Sequence, residues 1–325
     1  MNRTVAVAGA GSIGVAFSLL FARAGFQVRL WDALPGALDR AQSELHARLE
    51  MLDDYGLLEE TPGVIAERVT LHEILLEALQ GAELVQECVP EKLDIKREVF
   101  QQLGAYSEPD AVLASSSSAI ASSQFATATP ARDRVLIGHP GNPPYLIPVI
   151  EVVPSEFTSS ETVTRAEQIY RDAGLKPVLV RKEIEGFIFN RLQGAVLREA
   201  YCLVRDGIAS VDDIDEVMRS GLGRRWTFIG PFETSDLNTR GGTESHAEKM
   251  GPAYERMGAE RGQHDPWTPE LVADVVQQRR ALLPLDEWDD RVRWRDEQLM
   301  KFLQRFKAEL ADGETTPASR APGAN

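Results

Sequence analysis

The run Gly9-Ala10-Gly11-Ser12-Ile13-Gly14 lies between a valine-rich apolar stretch at 4–8 and a helical pattern at 15–24, and it limits the fold of this chain more than any other feature. A second strand pattern at 27–31 runs into Asp32, eighteen residues after Gly14. Strand, glycine turn, helix, strand and acidic residue in that order make a βαβ unit that holds a dinucleotide. Gly9 permits the tight turn, Gly11 lets the backbone approach a pyrophosphate, and Gly14 lets the helix pack closely. The amides of Ser12 and Ile13 open the helix, where the backbone dipoles favour phosphate. The Asp32 carboxylate accepts from ribose hydroxyls and repels a 2′-phosphate, so NAD is the expected cofactor rather than NADP.

Beyond this unit, residues 35–80 read as a helical excursion with breaks at Gly56 and at Thr61-Pro62-Gly63. Strand patterns follow at 84–89, 111–115, 134–138, 149–153 and 177–181, with a crossover helix at 161–174 between the last two. This alternation predicts an α/β fold: a Rossmann-like, doubly wound, mostly parallel sheet over residues 1–185. After Glu185-Gly186 the periodicity is helical throughout, at 187–205, 211–220, 232–260, 269–282 and 287–311. An all-helical C-terminal domain over 186–311 is therefore expected, followed by a disordered tail at 312–325 that lacks apolar anchors.

A length of 325 residues, 43% of them hydrophobic, supports two domains with sizeable cores. The net charge of -15 argues against nucleic acid or an anionic membrane as partner. Cys88 and Cys202 sit in apolar text, which suits reduced buried thiols, and no metal site is expected. The absence of a leader-like start or a membrane-length apolar run makes the cytoplasm the expected location.

Four polar residues, Ser118, His139, Glu151 and Asn190, stand out downstream. Ser118 and His139 follow strand patterns at their carboxyl ends, where ligands sit in open α/β sheets, and Asn190 opens the helical domain, so the site is expected in the cleft between domains. The surrounding text is Gln86-Glu87-Cys88-Val89-Pro90-Glu91, the serines 115–118, His139-Pro140-Gly141-Asn142-Pro143-Pro144-Tyr145, Gly186-Phe187-Ile188-Phe189-Asn190-Arg191-Leu192 and Gly221-Leu222-Gly223-Arg224-Arg225-Trp226. Together these segments resemble the 3-hydroxyacyl-CoA dehydrogenase superfamily, and within it the branch of λ-crystallin and L-gulonate 3-dehydrogenase.

The resemblance implies that His139 is the general base, that Glu151 fixes its tautomer, and that Ser118 and Asn190 hydrogen-bond the substrate oxygen and the cofactor side. It places Glu91 and Lys96 along the nicotinamide, with a solvated helix charge as the other reading of Lys96. Asn142 matches a position near the substrate and reads equally well as a turn residue. Arg225, or its neighbour Arg224, could pair with a free substrate carboxylate or form a structural ion pair. A homodimer through the helical domain is also implied.

Members that bind coenzyme A carry lysine on the helical excursion, whereas this chain has no lysine before Lys92, and only Arg40 and Arg48 could substitute. A small free 3-hydroxy acid, L-gulonate or a 3-hydroxybutyrate-like compound, is therefore the expected substrate. Short-chain 3-hydroxyacyl-CoA, carnitine, and a structural protein that binds NAD without turnover are the alternatives. Gly141 replaces the valine usual in the λ-crystallin branch, and is expected to loosen the pocket beside the base.

Overall fold

The computed structural model describes residues 3–227, 230–238 and 242–262, with scattered positions between 270 and 304. The chain divides into two compact units, Met1–Arg191 with Arg293–Asn325, and Leu192–Val292.

The first unit is built on eight strands: β1 (Thr4–Ala8), β2 (Gln27–Trp31), β3 (Val69–His72), β4 (Leu84–Glu87), β5 (Val112–Ser115), β6 (Val135–Pro140), β7 (Val149–Pro154) and β8 (Lys176–Leu179). They lie in the order β3-β2-β1-β4-β5-β6-β7-β8. Every neighbouring pair is parallel except β6 and β7, which run antiparallel. The connections carry α1 (Ser12–Arg23), α2 (Ala37–Asp54), α3 (Pro62–Ala66), α4 (Leu75–Leu79), α5 (Leu93–Tyr106), α6 (Ser123–Ala126) and α7 (Ser160–Asp172). This is the doubly wound, mostly parallel sheet that the alternation of patterns predicts.

Both faces of the sheet are covered, which is why the central strands read as nearly unbroken apolar runs. Along β1, Val5 and Val7 join the core that α1, α2 and α7 cover, while Ala6 and Ala8 join the core under α4, α5 and α6. Each fully buried Val, Leu or Phe contributes about 1.5–3 kcal/mol of hydrophobic stabilisation. Helix α1 is apolar on nearly every side and buried from Gly14 to Ala22, so it serves as the inner pillar behind the glycine loop.

The excursion at 35–80 is not wholly helical, because it contains β3. That strand pairs only with β2, its residues are half-buried or exposed, and Thr70 faces solvent. An edge strand of four residues with one side open lacks the apolar run or clean alternation by which a strand is read from sequence. The helix expected from residue 187 starts at Phe189, since Phe187 has φ of 48°, outside helical backbone.

Helix α8 (Phe189–Arg205) continues from the first unit into the second. There follow α9 (Val211–Glu216), a π-helical turn at Val217–Leu222, α10 (Gly223–Trp226), α11 (Pro231–Asn238) and α12 (Gly242–Arg261). Helix α9 opens on a capping box in which Ser210 and Asp213 satisfy each other's backbone amides. Arg261 pairs with Glu199 at 2.9 Å and Asp206 at 2.6 Å, fastening α12 to α8 and its end. The described residues of the second unit contain no strand. The helices expected at 269–282 and 287–311 lie mostly outside the described residues, and the tail at 312–325 wholly so.

Candidate active site

The glycine loop connects β1 to α1. Gly9 has φ of 116°, and a Cβ there would lie 2.7 Å from the carbonyl carbon and oxygen of Cys88. At Gly14 a Cβ would fall 1.8 Å from the carbonyl oxygen of Gly9, so loop and helix touch with no space for a side chain. Gly11 differs, since a Cβ on it would meet nothing within 4 Å. The protein leaves the backbone open there, directly before a helix whose N-cap has no side-chain partner. Unpaired amides beside an open glycine form a cradle for an anion.

Asp32 follows β2 and is fixed from both sides: Oδ2 accepts from the Ala10 amide at 2.7 Å and Oδ1 from the Leu34 amide at 2.8 Å. Each oxygen keeps a lone pair for a ribose hydroxyl. A cavity of about 270 Å³ beside it is lined by Asp32, Asp39 and Glu73 among others, an acidic setting that opposes a 2′-phosphate. These residues fit NAD.

His139 is the penultimate residue of β6. The antiparallel register sets it opposite Glu151 of β7, so both side chains leave the same face of the sheet. Nδ1 of His139 lies 2.7 Å from Oε2 of Glu151. A carboxylate can only accept, so Nδ1 carries the proton and Nε2 keeps a lone pair. The second carboxylate oxygen accepts from the amides of Ile188 at 2.7 Å and Phe189 at 2.9 Å. Both amides reach Glu151 through the turn at Gly186 and Phe187, where φ is 76° and 48°. The rings of Phe187 and Phe189 stand 5.6 Å and 6.3 Å from the imidazole, walling the pair, which is 6% and 2% exposed.

Asn190 follows at once on α8, and its Nδ2 donates to the carbonyl oxygen of Ser118 at 3.3 Å. The four residues thus form two linked pairs, joined by the Phe189-Asn190 step and the Glu151 contact. Asn142 is exposed in the loop between β6 and β7. Gly141 does not loosen its surroundings: a Cβ would lie 2.6 Å from Ile147 Cγ2 and 2.9 Å from Val149 Cγ1. Those side chains already occupy the space that a valine would take.

Glu91 is exposed after β4, and its Oε1 accepts from Ser117 Oγ at 2.5 Å and from the amides of Ala119 and Ile120 at 3.1 Å each. Burial raises its carboxyl, but Ser117, the charge of Lys96 and the two amides outweigh it and hold the group below the usual carboxylate range. Lys96 is fully buried, not solvated, and its Nζ lies 2.9 Å from Glu87 Oε2. Glu87, with its partner Ser115, was not anticipated by sequence reasoning. A charged residue closing a strand, nine positions before a lysine on the next helix, was the available signal. Neighbouring Cys88 is pushed up to about 12 by burial, followed by the charge of Glu87, so its thiol stays neutral and is no nucleophile.

Arg225 belongs to the second unit, where its Nη1 donates to Asn238 Oδ1 at 3.2 Å. It lines a cavity of about 460 Å³ with Trp226, Phe232, Thr234, His246 and Tyr254, and the buried Thr234 Oγ1 in that wall has no hydrogen-bond partner. Among the described residues no cluster of three or more His, Cys, Asp or Glu could hold a metal ion, and no helix is long and apolar enough to cross a membrane.

The model for the NAD binding domain of 3-hydroxyacyl-CoA dehydrogenase matches residues 4–184, and that for the C-terminal domain of the same enzyme matches residues 186–281. Lambda-crystallin of Oryctolagus cuniculus is 37% identical over 314 residues, covering 94% of this chain and 97% of the relative. The L-carnitine dehydrogenase of Pseudomonas putida is 34% identical, covering 95% of each chain. Among solved structures, an NAD+ dependent dismutase described as 5-formyl-3-hydroxy-2-methylpyridine 4-carboxylic acid 5-dehydrogenase superposes with a TM-score of 0.80 at 28% identity, over 94% of this chain and 98% of its own.

Proposed function

The chain belongs to the 3-hydroxyacyl-CoA dehydrogenase family, and from that premise we propose that it oxidises the 3-hydroxyl of a small free 3-hydroxy acid, of the L-gulonate or L-3-hydroxybutyrate kind, to the 3-keto acid. The observation that carries this reading is the buried His139–Glu151 pair at 2.7 Å. Nε2 of His139 takes the hydroxyl proton, and Glu151 stabilises the imidazolium that forms. Two amides on the far oxygen keep Glu151 from swinging away as that charge develops. Ser118 and Asn190 orient the substrate oxygen, while Gly9, Gly11, Ser12, Ile13, Gly14, Asp32 and Glu91 hold the cofactor. Bound NAD supplies the hydride acceptor.

Two features support a free acid over a thioester. Arg48, one of the two cations on α2 that could meet a coenzyme A phosphate, is already committed: its guanidinium donates to Ser12 O at 3.1 Å and Ser12 Oγ at 2.7 Å, and it pairs with Glu44. The cavity around Arg225 offers a guanidinium to a carboxylate, and an unpartnered threonine hydroxyl to a polyhydroxy chain. Asn142 is assigned to the same substrate.

Following NADH absorbance with L-gulonate, L-3-hydroxybutyrate, carnitine and 3-hydroxybutyryl-CoA in parallel tests the reading. Turnover is expected with a free acid. Turnover of the thioester alone, or of carnitine alone, overturns the substrate assignment and leaves the chemistry of His139 in place.

The reading also carries a homodimer in the cytoplasm. Leu192, exposed by 58%, and Val196, one turn further along the same face of α8, give that face exposed apolar surface that suits a helical interface. Light scattering at micromolar concentration should return twice the chain mass of 35.9 kDa, and the single-chain mass would remove the dimer.

A further inference from the structure

One cation on α2, Arg48, reaches back 36 residues to the opening of α1, and its side chain is only 17% exposed. Its Nη1 donates to the carbonyl oxygen of Ser12 at 3.1 Å and its Nη2 to Ser12 Oγ at 2.7 Å. Nη2 also pairs with Glu44, one turn earlier on α2. The guanidinium carbon stands 5.7 Å from the ring centre of Tyr145, and that buried tyrosine is fastened in turn by Arg23, whose Nη2 donates to its carbonyl oxygen at 3.2 Å. Ser12, Glu44 and Tyr145 together fix where the planar fork of Arg48 points.

The grip on Ser12 is unusual in taking two atoms of one residue. A rigid fork that holds both O and Oγ restricts the serine rotamer, because Oγ has to stay on the side of the guanidinium. A hydroxyl has one proton and two lone pairs. Nη2 uses a lone pair and leaves the proton, which among the described residues has no protein acceptor. A cation bound to the oxygen makes that O–H a stronger donor. Ser12 is exposed at the first position of α1, behind an N-cap with no side-chain partner and beside the open Gly11, the end of the helix at which a dinucleotide holds its pyrophosphate.

We propose that Arg48 is a positioning residue for the cofactor: it fixes and polarises the Ser12 hydroxyl, which donates its proton to the pyrophosphate of NAD. A positive charge on α2 thereby serves the cofactor through another side chain. The inference concerns the NAD site alone, and its test uses no 3-hydroxy acid, so its outcome is independent of the substrate assignment.

The test compares ADP-ribose, which carries the pyrophosphate, with adenosine, which has no phosphate. ADP-ribose is titrated by calorimetry and adenosine by displacement of NADH fluorescence. Ser12→Ala should weaken ADP-ribose about tenfold, the loss that follows when one charge-assisted hydrogen bond goes, and change adenosine by less than about twofold. Arg48→Met should do the same. Because Arg48 acts through Ser12, the double variant Ser12→Ala/Arg48→Met should be no weaker than either single variant, the non-additivity of two residues in one chain of hydrogen bonds.

Three results overturn the proposal. Multiplied losses in the double variant, about a hundredfold together, mean that Arg48 touches the pyrophosphate directly. Equal weakening of ADP-ribose and adenosine, with a lowered melting temperature, means that Arg48 is a strut between α1 and α2. Unchanged ADP-ribose affinity in Ser12→Ala removes the hydroxyl from the cofactor, and that variant decides even if Arg48→Met fails to fold, since Ser12 is exposed and alanine is a good helix former.

Discussion

Replacing His139 with Gln should lower kcat by about 10³- to 10⁴-fold, the upper range for loss of a general base, while NADH binds as before. The substitution isolates the base. A glutamine amide can still donate to Glu151 Oε2 and fill much of the space between Phe187 and Phe189, so packing and charge are largely kept. It has no nitrogen that can take a proton at neutral pH. Steady-state kcat together with an NADH fluorescence titration reads both halves, and activity within about tenfold of the parent would remove His139 from the chemistry.

Gly14→Ala should destabilise the first unit by about 3 kcal/mol or more, as overpacking against rigid backbone does, and abolish NAD binding with it. The added Cβ would sit 1.8 Å from the carbonyl oxygen of Gly9. Neither side can yield easily. Gly9 donates to Trp31 O at 2.8 Å and Ala10 to Asp32 at 2.7 Å, which pins the loop to β2, while α1 is packed in the core along most of its length. Gly11→Ala is the matched control, since no protein atom lies within 4 Å of its Cβ. Thermal melts should show a large drop for Gly14→Ala and almost none for Gly11→Ala, with NAD shifting neither; a melt of Gly14→Ala that matches the parent would mean that loop and helix are not in contact.

Much of this could be read from the chain because local rules agree with the fold. The glycine loop, β1, α1, β2 and Asp32 follow one another within a few turns of chain, and each residue has a steric or electrostatic reason to be there. The positions of the later strands along the chain were similarly plain, since a sheet buried on both faces writes itself as apolar runs. What sequence hid was set by pairing across distance. Strand β3 has one neighbour and little burial, so its pattern is faint. His139 and Glu151 are twelve residues apart in antiparallel strands, and only a family resemblance joined them beforehand. The amides of Ile188 and Phe189 carry no side-chain signature at all. The burial of Lys96 was hidden because its partner, Glu87, lies on the neighbouring strand, nine residues earlier.

The packing at Gly141 ties that residue to two side chains across the loop. Ile147 and Val149 fill the volume that a side chain at 141 would need, with clearances of 2.6 Å and 2.9 Å. Position 141 and its two neighbours across the loop therefore form one packing unit. A valine placed at 141 alone would press on both methyl groups, so it calls for a smaller or re-oriented side chain at 147 or 149. A side chain grafted at 141 from a relative therefore has to travel with compatible residues at 147 and 149, and the exchangeable unit of this loop is the trio.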